Sequence, residues 1–292
     1  MRFEPEEGFR KPEFAGSMLR GAFGGALKRT VCVMRLRDCA GCPLEHACVY
    51  TTVFETRPSP GRGLMTRYDR APHPYVLVTP LGGGPAEGLD AGLRVFGPAR
   101  GSLPFLLRAF EEAGARGFGP GRVRHRLAEV RDEDGGVLWR PGEAYPVAPE
   151  GPAPAAVGRR VRLRLRSPLR MTRDGRLVTP EALTARDVLM SGVRRLGLLA
   201  GFFGSGSDGL DFRGLKAEAE VARIIDARLR WKDLFRRSTR QDARLGIGGI
   251  LGEATLDLGE ATGLREAFAW APIIHLGKAT SMGLGQVELG EA

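Results

Sequence analysis

One order of elements occurs twice in this 292-residue sequence: a helix with an apolar face, a glycine-rich loop with basic residues, and a strand. The first copy begins with the helix 103–113 and the second with the helix 264–270. The loops end in similar phrases, Gly-Pro-Gly-Arg-Val at 119–123 and Gly-Leu-Gly-Gln-Val at 283–287. Internal self-similarity is the sequence signature of a repeated structural unit. We interpret the chain as two halves of one fold, related by an ancient duplication.

The boundary between the halves is a segment without helical or strand periodicity. Residues 140–158 are rich in proline, alanine and glycine, a composition typical of linkers. The length of the chain allows two domains of ordinary size, each with its own core. We therefore expect an N-terminal domain at residues 1–150 and a C-terminal domain at residues 151–292.

The balance of charges favours a nucleic-acid partner. The sequence has 44 basic and 34 acidic residues, a net charge of +10 and a pI of about 10.1, and all but five of the basic residues are arginines. Guanidinium groups bind phosphate through a planar fork of donors and stack on bases. A coding bias towards arginine codons is the alternative, although it explains the preference for arginine better than the positive excess.

The composition is that of a soluble globular protein, with 42% hydrophobic and 27% charged residues. No apolar run is long enough to span a bilayer, and the glutamate-rich first residues lack the pattern of a signal peptide. We therefore expect a cytoplasmic protein without a membrane partner.

All four cysteines fall within seventeen residues, at Cys32, Cys39, Cys42 and Cys48. In a reducing compartment such clustering favours a tetrathiolate metal site over disulfides. Structural zinc is the leading candidate, an iron–sulfur cluster is the second, and four reduced thiols without a metal are the alternative. His46 stands between two of the cysteines as a candidate metal ligand, catalytic group or surface residue.

Residues 161–166 alternate strictly between aliphatic residues and arginines. A period of two is typical of a half-buried strand, so Arg162, Arg164 and Arg166 are expected on one face. We predict that this face follows the phosphates of an RNA. The alternative is a solvated edge strand, because edge strands also carry charge.

A second basic segment, residues 229–241, interleaves aromatic and basic side chains. Unpaired bases stack on aromatic rings or guanidinium planes, and their phosphates attract cations, so the pattern favours single-stranded RNA. The alternative is one core tryptophan beside solvated arginines. The candidate RNA-binding residues of this segment are Trp231, Arg236, Arg237, Arg240 and Gln241.

The loop 277–285 of the second copy contains three glycines and one lysine. A glycine has no Cβ, so its backbone N–H can approach a phosphate closely, and the lysine adds a cation. The alternative is a tight connection between two elements. The candidate RNA-binding residues of this loop are Gly277, Lys278, Ser281, Gly283 and Gly285.

Several of these phrases resemble one protein family. The run 275–285, His-Leu-Gly-Lys-Ala-Thr-Ser-Met-Gly-Leu-Gly, is similar to the C-terminal glycine-rich loop of the RAMP superfamily of CRISPR-associated RNA-binding proteins. The phrases at 19–27, 237–241 and 246–252 also resemble its precursor-CRISPR-RNA (pre-crRNA) processing endoribonucleases. The resemblance implies an α+β fold of tandem ferredoxin-like (RRM-type) domains with a C-terminal glycine-rich loop. To this fold the cysteine spacing adds a small Cys-rich metal-binding insertion at 32–48.

The resemblance also implies an enzyme that holds repeat RNA in a basic cleft and cuts the precursor transcript within each repeat. It implies cleavage without a catalytic metal, by attack of the ribose 2′-OH, which leaves a 2′,3′-cyclic phosphate and a 5′-OH. The implied partners are CRISPR repeat RNA, crRNA and other subunits of a CRISPR effector complex. The alternatives are a non-catalytic RAMP subunit that holds crRNA, and an unrelated metal-binding structural protein.

The four histidines are the candidates for proton transfer, because imidazole titrates near neutral pH. The resemblance places the catalytic histidine after the first helix, where His46 stands, whereas His275 and Lys278 adjoin the glycine-rich loop. His73 and His125 are expected to be structural or exposed. The candidate catalytic residues are therefore His46, His275 and Lys278.

Overall fold

The structure is a computed structural model that describes residues 1–35, 38–56, 71–204, 210–238 and 243–292. The chain separates into two units. The first comprises Met1–Pro152 and Leu199–Gly206, and the second comprises Ala153–Leu198 and Ser207–Ala292. The helix Ala185–Phe203 therefore contributes to both units.

The first unit contains α-helices and short strands. Its strands are β1 (Arg2–Pro5), β2 (Phe9–Lys11), β3 (Tyr75–Val78), β4 (Gly84–Ala86), β5 (Leu89–Asp90), β6 (Gly92–Val95), β7 (His125–Arg131) and β8 (Val137–Trp139). Its helices are α1 (Gly16–Val31) and α2 (Leu103–Arg116), and a π-helical turn covers Thr51–Glu55. The helix α2 confirms the helix predicted at 103–113.

An antiparallel sheet in the order β5-β1-β7-β8 underlies the first unit. The strand β6 follows β5 after a single residue, Ala91, and pairs in turn with β3. Along the chain the order is β1, α1, β3, β5–β6, α2 and β7. This is the β-α-β-β-α-β order of a ferredoxin-like domain.

Aromatic packing joins the two helices of the first unit. Phe23 of α1 stacks on Phe110 of α2, with ring centroids 4.4 Å apart. Gly24 follows Phe23 on α1, and a Cβ added at Gly24 would lie 2.2 Å from the ring of Phe54. A larger residue would displace that ring, so a glycine that weakens the helix locally makes room for the core.

The second unit is built from a long sheet and four helices in the described part of the chain. Its strands are β9 (Arg160–Leu169), β10 (Thr172–Arg173), β11 (Arg176–Leu177), β12 (Arg223–Lys232), β13 (Phe235–Ser238), β14 (Ala243–Gly246), β15 (Gly249–Asp257) and β16 (Val287–Glu291). Its helices are α3 (Ala185–Phe203), α4 (Phe212–Val221), α5 (Thr262–Phe268) and α6 (Ala271–Ile274). None of the helices among the described residues is both long enough and apolar enough to cross a membrane.

The main sheet of the second unit is antiparallel, in the order β12-β15-β9-β16. The chain order β9, α3, β12, β15, α5 and β16 again matches a ferredoxin-like domain. In β9, Val161, Leu163 and Leu165 are buried and the arginines between them are exposed, which confirms the predicted alternation. The prediction of an α+β fold is confirmed, and both antiparallel sheets are consistent with ferredoxin-like domains.

The helix α3 begins later than the sequence indicates. Thr179 and Pro180 form a typical helix start, yet the helix begins at Ala185. The reason is a reciprocal pair of hydrogen bonds: the Asp187 N–H donates to Thr184 Oγ1, and the Thr184 N–H donates to Asp187 Oδ2, both at 3.1 Å. Such a capping box satisfies the first backbone donors of a helix and fixes its start.

Candidate nucleic-acid interface

The glycine-rich loop of the second unit is closed by its own backbone. The Gly277 N–H donates to Ser191 Oγ (2.8 Å), and the Gly285 N–H donates to the carbonyl of Pro168 (3.0 Å). The Gly283 N–H closes the 3-10 turn that precedes it. All three amides are therefore engaged inside the protein. The predicted role of these amides as phosphate donors does not fit this arrangement.

Close backbone packing explains why two of these positions are glycine. Gly277 and Gly285 have positive φ angles of 73° and 70°. A Cβ would lie 2.5 Å from the Arg170 carbonyl oxygen at the first position and 1.7 Å from the Leu276 carbonyl oxygen at the second. A residue with a Cβ cannot approach the backbone so closely. These two glycines shape the loop.

Lys278 is the exposed residue of this loop, all of which the structure describes. Its N–H donates to the carbonyl of Arg170 (2.8 Å), so the backbone beneath the side chain is fixed. Ser281, the other polar candidate in the loop, is 6% exposed. The loop therefore offers a lysine to a ligand from a turn that its own hydrogen bonds hold in place.

Two arginines that the sequence did not single out for this loop bind carbonyl groups beside it. Arg170 Nη1 donates to the carbonyl of Gly248 (2.8 Å), and Arg195 Nε donates to the carbonyl of Ile274. Burial lowers the pKa of Arg195 to about 10, and no carboxylate among the described residues forms an ion pair with it. Guanidinium groups without a counter-charge make the surroundings of the loop attractive to anions. Because Arg195 lies off the apolar stripe of α3, no pattern in the sequence points to it.

His275 is fully buried where α6 ends. Its backbone has a positive φ of 61°, and its N–H donates to the carbonyl of Ala271 (3.0 Å), which terminates the helix. A ring without exposed surface cannot contact an RNA phosphate in this structure. The geometry gives His275 a structural position and does not support its predicted part in catalysis.

The arginine face of β9 is paired with carboxylates on the neighbouring strands. Arg164 Nε lies 2.6 Å from Glu253 on β15, and Arg166 Nε lies 3.2 Å from Glu288 on β16. Opposite charges on adjacent strands stabilise a sheet. Arg162 is also exposed and has no ion pair with any described residue. Of the three predicted phosphate ligands, Arg162 is the one whose charge no neighbouring carboxylate balances.

In the aromatic and basic segment, residues 229–232 form the end of β12 and residues 235–238 form β13, which pairs with β14. Trp231 is half-buried, and its Nε1–H donates to Asp233 Oδ1 (2.9 Å). Phe235 is 54% exposed and is followed by the half-buried Arg236. An exposed aromatic ring is a surface on which an unpaired base can stack. Outside the described residues lie Arg240, Gln241 and the side chain of Arg237.

His46 is accessible in the loop that follows α1. Its side chain is 48% exposed, and Nε2 lies 3.5 Å from Glu45 Oε1. The second oxygen of the same carboxylate accepts the N–H of Gly41 (3.2 Å), which ties the carboxylate to the loop. An exposed imidazole beside an anchored carboxylate can exchange protons with a ligand.

The other two histidines are held by the protein. His73 Nε2 accepts a hydrogen bond from Arg20 (3.0 Å), and Nδ1 lies 3.1 Å from Thr56 Oγ1. Because a guanidinium cannot accept a hydrogen bond, this ring is neutral with its proton on Nδ1. His125 is buried and its Nδ1–H donates to the carbonyl of Val123 (2.8 Å); burial lowers its pKa. Both rings are therefore held by hydrogen bonds within the protein, as expected for structural histidines.

The four cysteines meet at one pocket. They are free thiols, each half-buried, and all of them line a cavity of about 400 Å³ beside the end of α1: Cys32, Cys39, Cys42 and Cys48. In the described part of the chain, no group of three or more His, Cys, Asp or Glu side chains is placed to hold one metal ion. The geometry therefore does not confirm the predicted zinc site.

Two family models match this chain. Residues 1–150 match a model described as an N-terminal domain, and residues 163–287 match that of the CRISPR-associated endoribonuclease Cas6. The match places residues 163–287, which form most of the second antiparallel α+β unit, in a family of CRISPR-associated endoribonucleases. This segment belongs to the Cas6 endoribonuclease family, which confirms the resemblance seen in the sequence. No curated protein matches the sequence.

Solved structures of Cas6 proteins have the same fold. A product complex of Cas6 (TTHB231) is 18% identical, covers 99% of this chain and 98% of that chain, and has a TM-score of 0.61. Thermus thermophilus Cas6 (TTHB231) is 16% identical, covers 99% and 96%, and has a TM-score of 0.54. A partial Cas6-RT-Cas1–Cas2 complex is 13% identical, covers 100% and 45%, and has a TM-score of 0.55. At these identities the likeness concerns the fold.

Proposed function

We propose that this protein binds CRISPR repeat RNA and cleaves pre-crRNA within each repeat. The observation that carries the proposal is the match of residues 163–287 to the Cas6 endoribonuclease model, since that segment contains most of the main sheet, the glycine-rich loop and Lys278. The net charge of +10 supports a nucleic-acid substrate. The proposed place of action is the cytoplasm, where precursor transcripts are made.

Three regions of the second unit carry the proposed RNA contacts. Lys278 stands exposed on a fixed loop, and Arg162 is an unbalanced cation on the open face of β9. The exposed ring of Phe235 supplies a stacking surface on β13, and Arg236 adds a cation to the same strand. Arg164 and Arg166 are included in the proposal, although each is paired with a carboxylate through its Nε. The proposal also includes residues of the aromatic and basic segment: Trp231, Arg237, Arg240 and Gln241.

The proposed chemistry uses no metal. The ribose 2′-oxygen forms a bond to the adjacent phosphorus and the bond from phosphorus to the 5′-oxygen breaks, which leaves a 2′,3′-cyclic phosphate and a 5′-OH. A base must take the 2′-OH proton and an acid must protonate the leaving 5′-oxygen. We assign one of these proton transfers to His46, whose ring is exposed, and stabilisation of the charged phosphorane to Lys278.

Cleavage in the presence of EDTA tests this function. The full chain is incubated with repeat RNA from its own locus, with and without EDTA, and the ends of the products are mapped. We expect equal rates and one cleavage position within the repeat, with a cyclic phosphate on the upstream fragment. A 3′-OH product, or loss of cleavage in EDTA, would contradict the mechanism.

The alternative is a non-catalytic RAMP subunit that binds crRNA for other subunits of an effector complex. The family phrase that residues 19–27 resemble implies a histidine at the position of Gly25, and the ring of His275 is buried, so neither position supplies a base that can reach RNA. Such a subunit would bind the repeat RNA tightly in the same assay and leave it intact for the whole incubation.

His46→Ala separates the chemistry from binding. Loss of a general acid or base typically slows a reaction by about 10²–10⁴-fold, whereas repeat affinity should barely change because no phosphate contact is removed. The control is His275→Gln, which keeps a polar group at the buried position. If His275→Gln abolishes cleavage in folded protein while His46→Ala cleaves at the normal rate, the base belongs at the glycine-rich loop.

A further inference from the structure

The proposed RNA cleavage gives no role to the pocket that the four cysteines line. Six, two and five residues separate its four cysteines, and they are the only cysteines in the sequence. Cys39 and Cys48 pack against the core of the first unit, but half-buried thiols around an open cavity of about 400 Å³ contribute little buried apolar area. Their convergence on one space indicates a ligand held by sulfur.

Local hydrogen bonds fix the backbone at each end of this pocket. The Cys32 N–H donates to the carbonyl of Lys28 (2.9 Å) and caps α1. The Cys48 N–H donates to the carbonyl of Leu44 (2.8 Å), and its own carbonyl accepts from the hydroxyl of Thr51 (2.8 Å). The backbone that carries the first and last thiols is therefore ordered without a ligand.

The central pair lies on a turn. The Cys42 N–H donates to the carbonyl of Cys39 (3.3 Å), and Gly41 between them has a positive φ of 71°. A turn of this kind brings the two thiols of a C-x-x-C sequence to the same side of the chain, as thiolate-bound metal centres require. This turn and the two capped positions together surround the cavity.

The spread of the thiols distinguishes the possible ligands. A tetrahedral zinc site has Zn–S distances of about 2.3 Å, so its four sulfurs lie within about 4 Å of one another. Among the described residues no set of three ligands is gathered around one ion, although all four thiols line the same cavity. In an iron–sulfur cluster the cysteines bind a polynuclear core and stand further apart. The cavity is also larger than one ion needs.

The surroundings of the pocket suit a cluster. Met34, Leu44 and Phe105 line the pocket, and each has at least 40% of its surface exposed. The polarity and the solvent exposure of the residues around an iron–sulfur centre set its reduction potential. Lys28 Nζ lies 5.5 Å from the ring centroid of Tyr50, which also lines the pocket, so its cation offsets the negative charge of a thiolate-bound centre.

We propose that Cys32, Cys39, Cys42 and Cys48 bind an iron–sulfur cluster, rather than a single zinc ion. The cluster connects the end of α1 to the π-helical turn after Cys48 and fixes the loop that carries His46. Its role is structural, and the proposal stands independently of RNA cleavage.

The metal content of the wild-type full chain tests this site. The protein is purified without oxygen, and a second sample is reconstituted with ferrous iron and sulfide under reducing conditions. We expect visible absorption and equal amounts of iron and acid-labile sulfide, about two or four of each per chain. One zinc without sulfide would overturn the proposal, and so would a chain that binds no iron in either sample.

Substitutions test the ligands. The Cys39→Ser and Cys42→Ser variants should lose at least nine-tenths of the iron and sulfide, whereas Asp38→Asn, which changes a side chain that also lines the pocket, should retain both. Circular dichroism establishes that each variant is folded, and the wild-type measurement decides the question if a serine variant is not. Full iron and sulfide in both folded serine variants would overturn the assignment.

Discussion

In the sequence, the glycine-rich loop at 277–285 and the cysteine loop at 32–48 are both candidate ligand-binding sites, but their structures differ. In the first, backbone N–H groups bind carbonyl and hydroxyl oxygens of the same unit, and most of the residues are buried. In the second, the residues that the structure describes are half-buried or exposed around an open cavity of about 400 Å³. One loop is complete by itself and the other leaves room for a ligand.

The difference teaches that residue types alone do not identify a binding site. Glycine permits both close approach of a ligand and close approach of the protein's own backbone, and only the hydrogen bonds show which of the two occurs. At Gly277 and Gly285 the backbone of the protein fills the space that a phosphate would need. The proposed RNA binding by that loop therefore depends on the side chain of Lys278.

The largest predicted effect is on the free energy of unfolding, and it appears when two glycines with nearly the same φ are compared. Gly285 has a φ of 70° and Gly41 has a φ of 71°, but an added Cβ meets the Leu276 carbonyl oxygen at 1.7 Å only in the first case. We expect Gly285→Ala to lower the free energy of unfolding by about 3 kcal/mol or more. Gly41→Ala should lower it by about 1–2 kcal/mol, the cost of a positive φ alone.

Denaturant titration of both variants measures this contrast, with Gly290→Ala as the control. Gly290 is exposed in β16, and nothing lies within 4 Å of its added Cβ. That variant should unfold within about 1 kcal/mol of the wild type. Equal destabilisation by Gly285→Ala and Gly41→Ala would show that the glycine-rich loop is as open as the cysteine loop.

Ser167 provides a smaller test of the closed loop. Its Oγ donates to the carbonyl of Gly283 (2.7 Å) and accepts the N–H of Gln286 (2.9 Å), and the residue is fully buried. Ser167→Ala leaves two buried backbone groups without partners, so we expect a loss of about 1–3 kcal/mol in the free energy of unfolding. An unchanged unfolding midpoint would mean that the loop does not depend on these bonds.

The smallest effect concerns pH and the first glycine-rich loop. Burial lowers the pKa of His125, so below the ordinary value of about 6.5 the unfolded chain takes up a proton that the folded chain does not. The free energy of unfolding should therefore fall as the pH drops through about 6.5, and the fall should end below the folded-state pKa. His125→Gln should show a weaker dependence between pH 7.5 and 5.5; an identical dependence in both proteins would contradict the assignment.

The sequence predicted those parts of the fold that depend on local periodicity. The alternation in β9 and the apolar stripe of α2 follow from side-chain periods of two and 3.6 residues, which the sequence shows directly. The helix start indicated by Thr179 and Pro180 was wrong, because the capping box formed by Thr184 and Asp187 was not recognised in the sequence.

Much of the candidate site depends on contacts between distant residues and was not predictable in this way. The carboxylate partners of Arg164 and Arg166 follow from strand register, and β15 carries an irregularity between Ile250 and Gly252 that shifts it. Arg195 is identified only by its contact with a residue far along the chain. Neither feature leaves a pattern within one segment.

The most direct test of the account is the effect of Lys278 on RNA. We expect Lys278→Ala to weaken repeat-RNA affinity and slow cleavage, because in the proposed function the lysine contacts phosphate before and during the reaction. The slope of log affinity against log salt concentration should become shallower by about 0.7, the value for one phosphate contact on a single strand. Lys278→Arg, which keeps the charge, should recover most of the affinity. If Lys278→Ala binds and cleaves like the wild type, with the same salt slope, the glycine-rich loop is not part of the RNA-binding site.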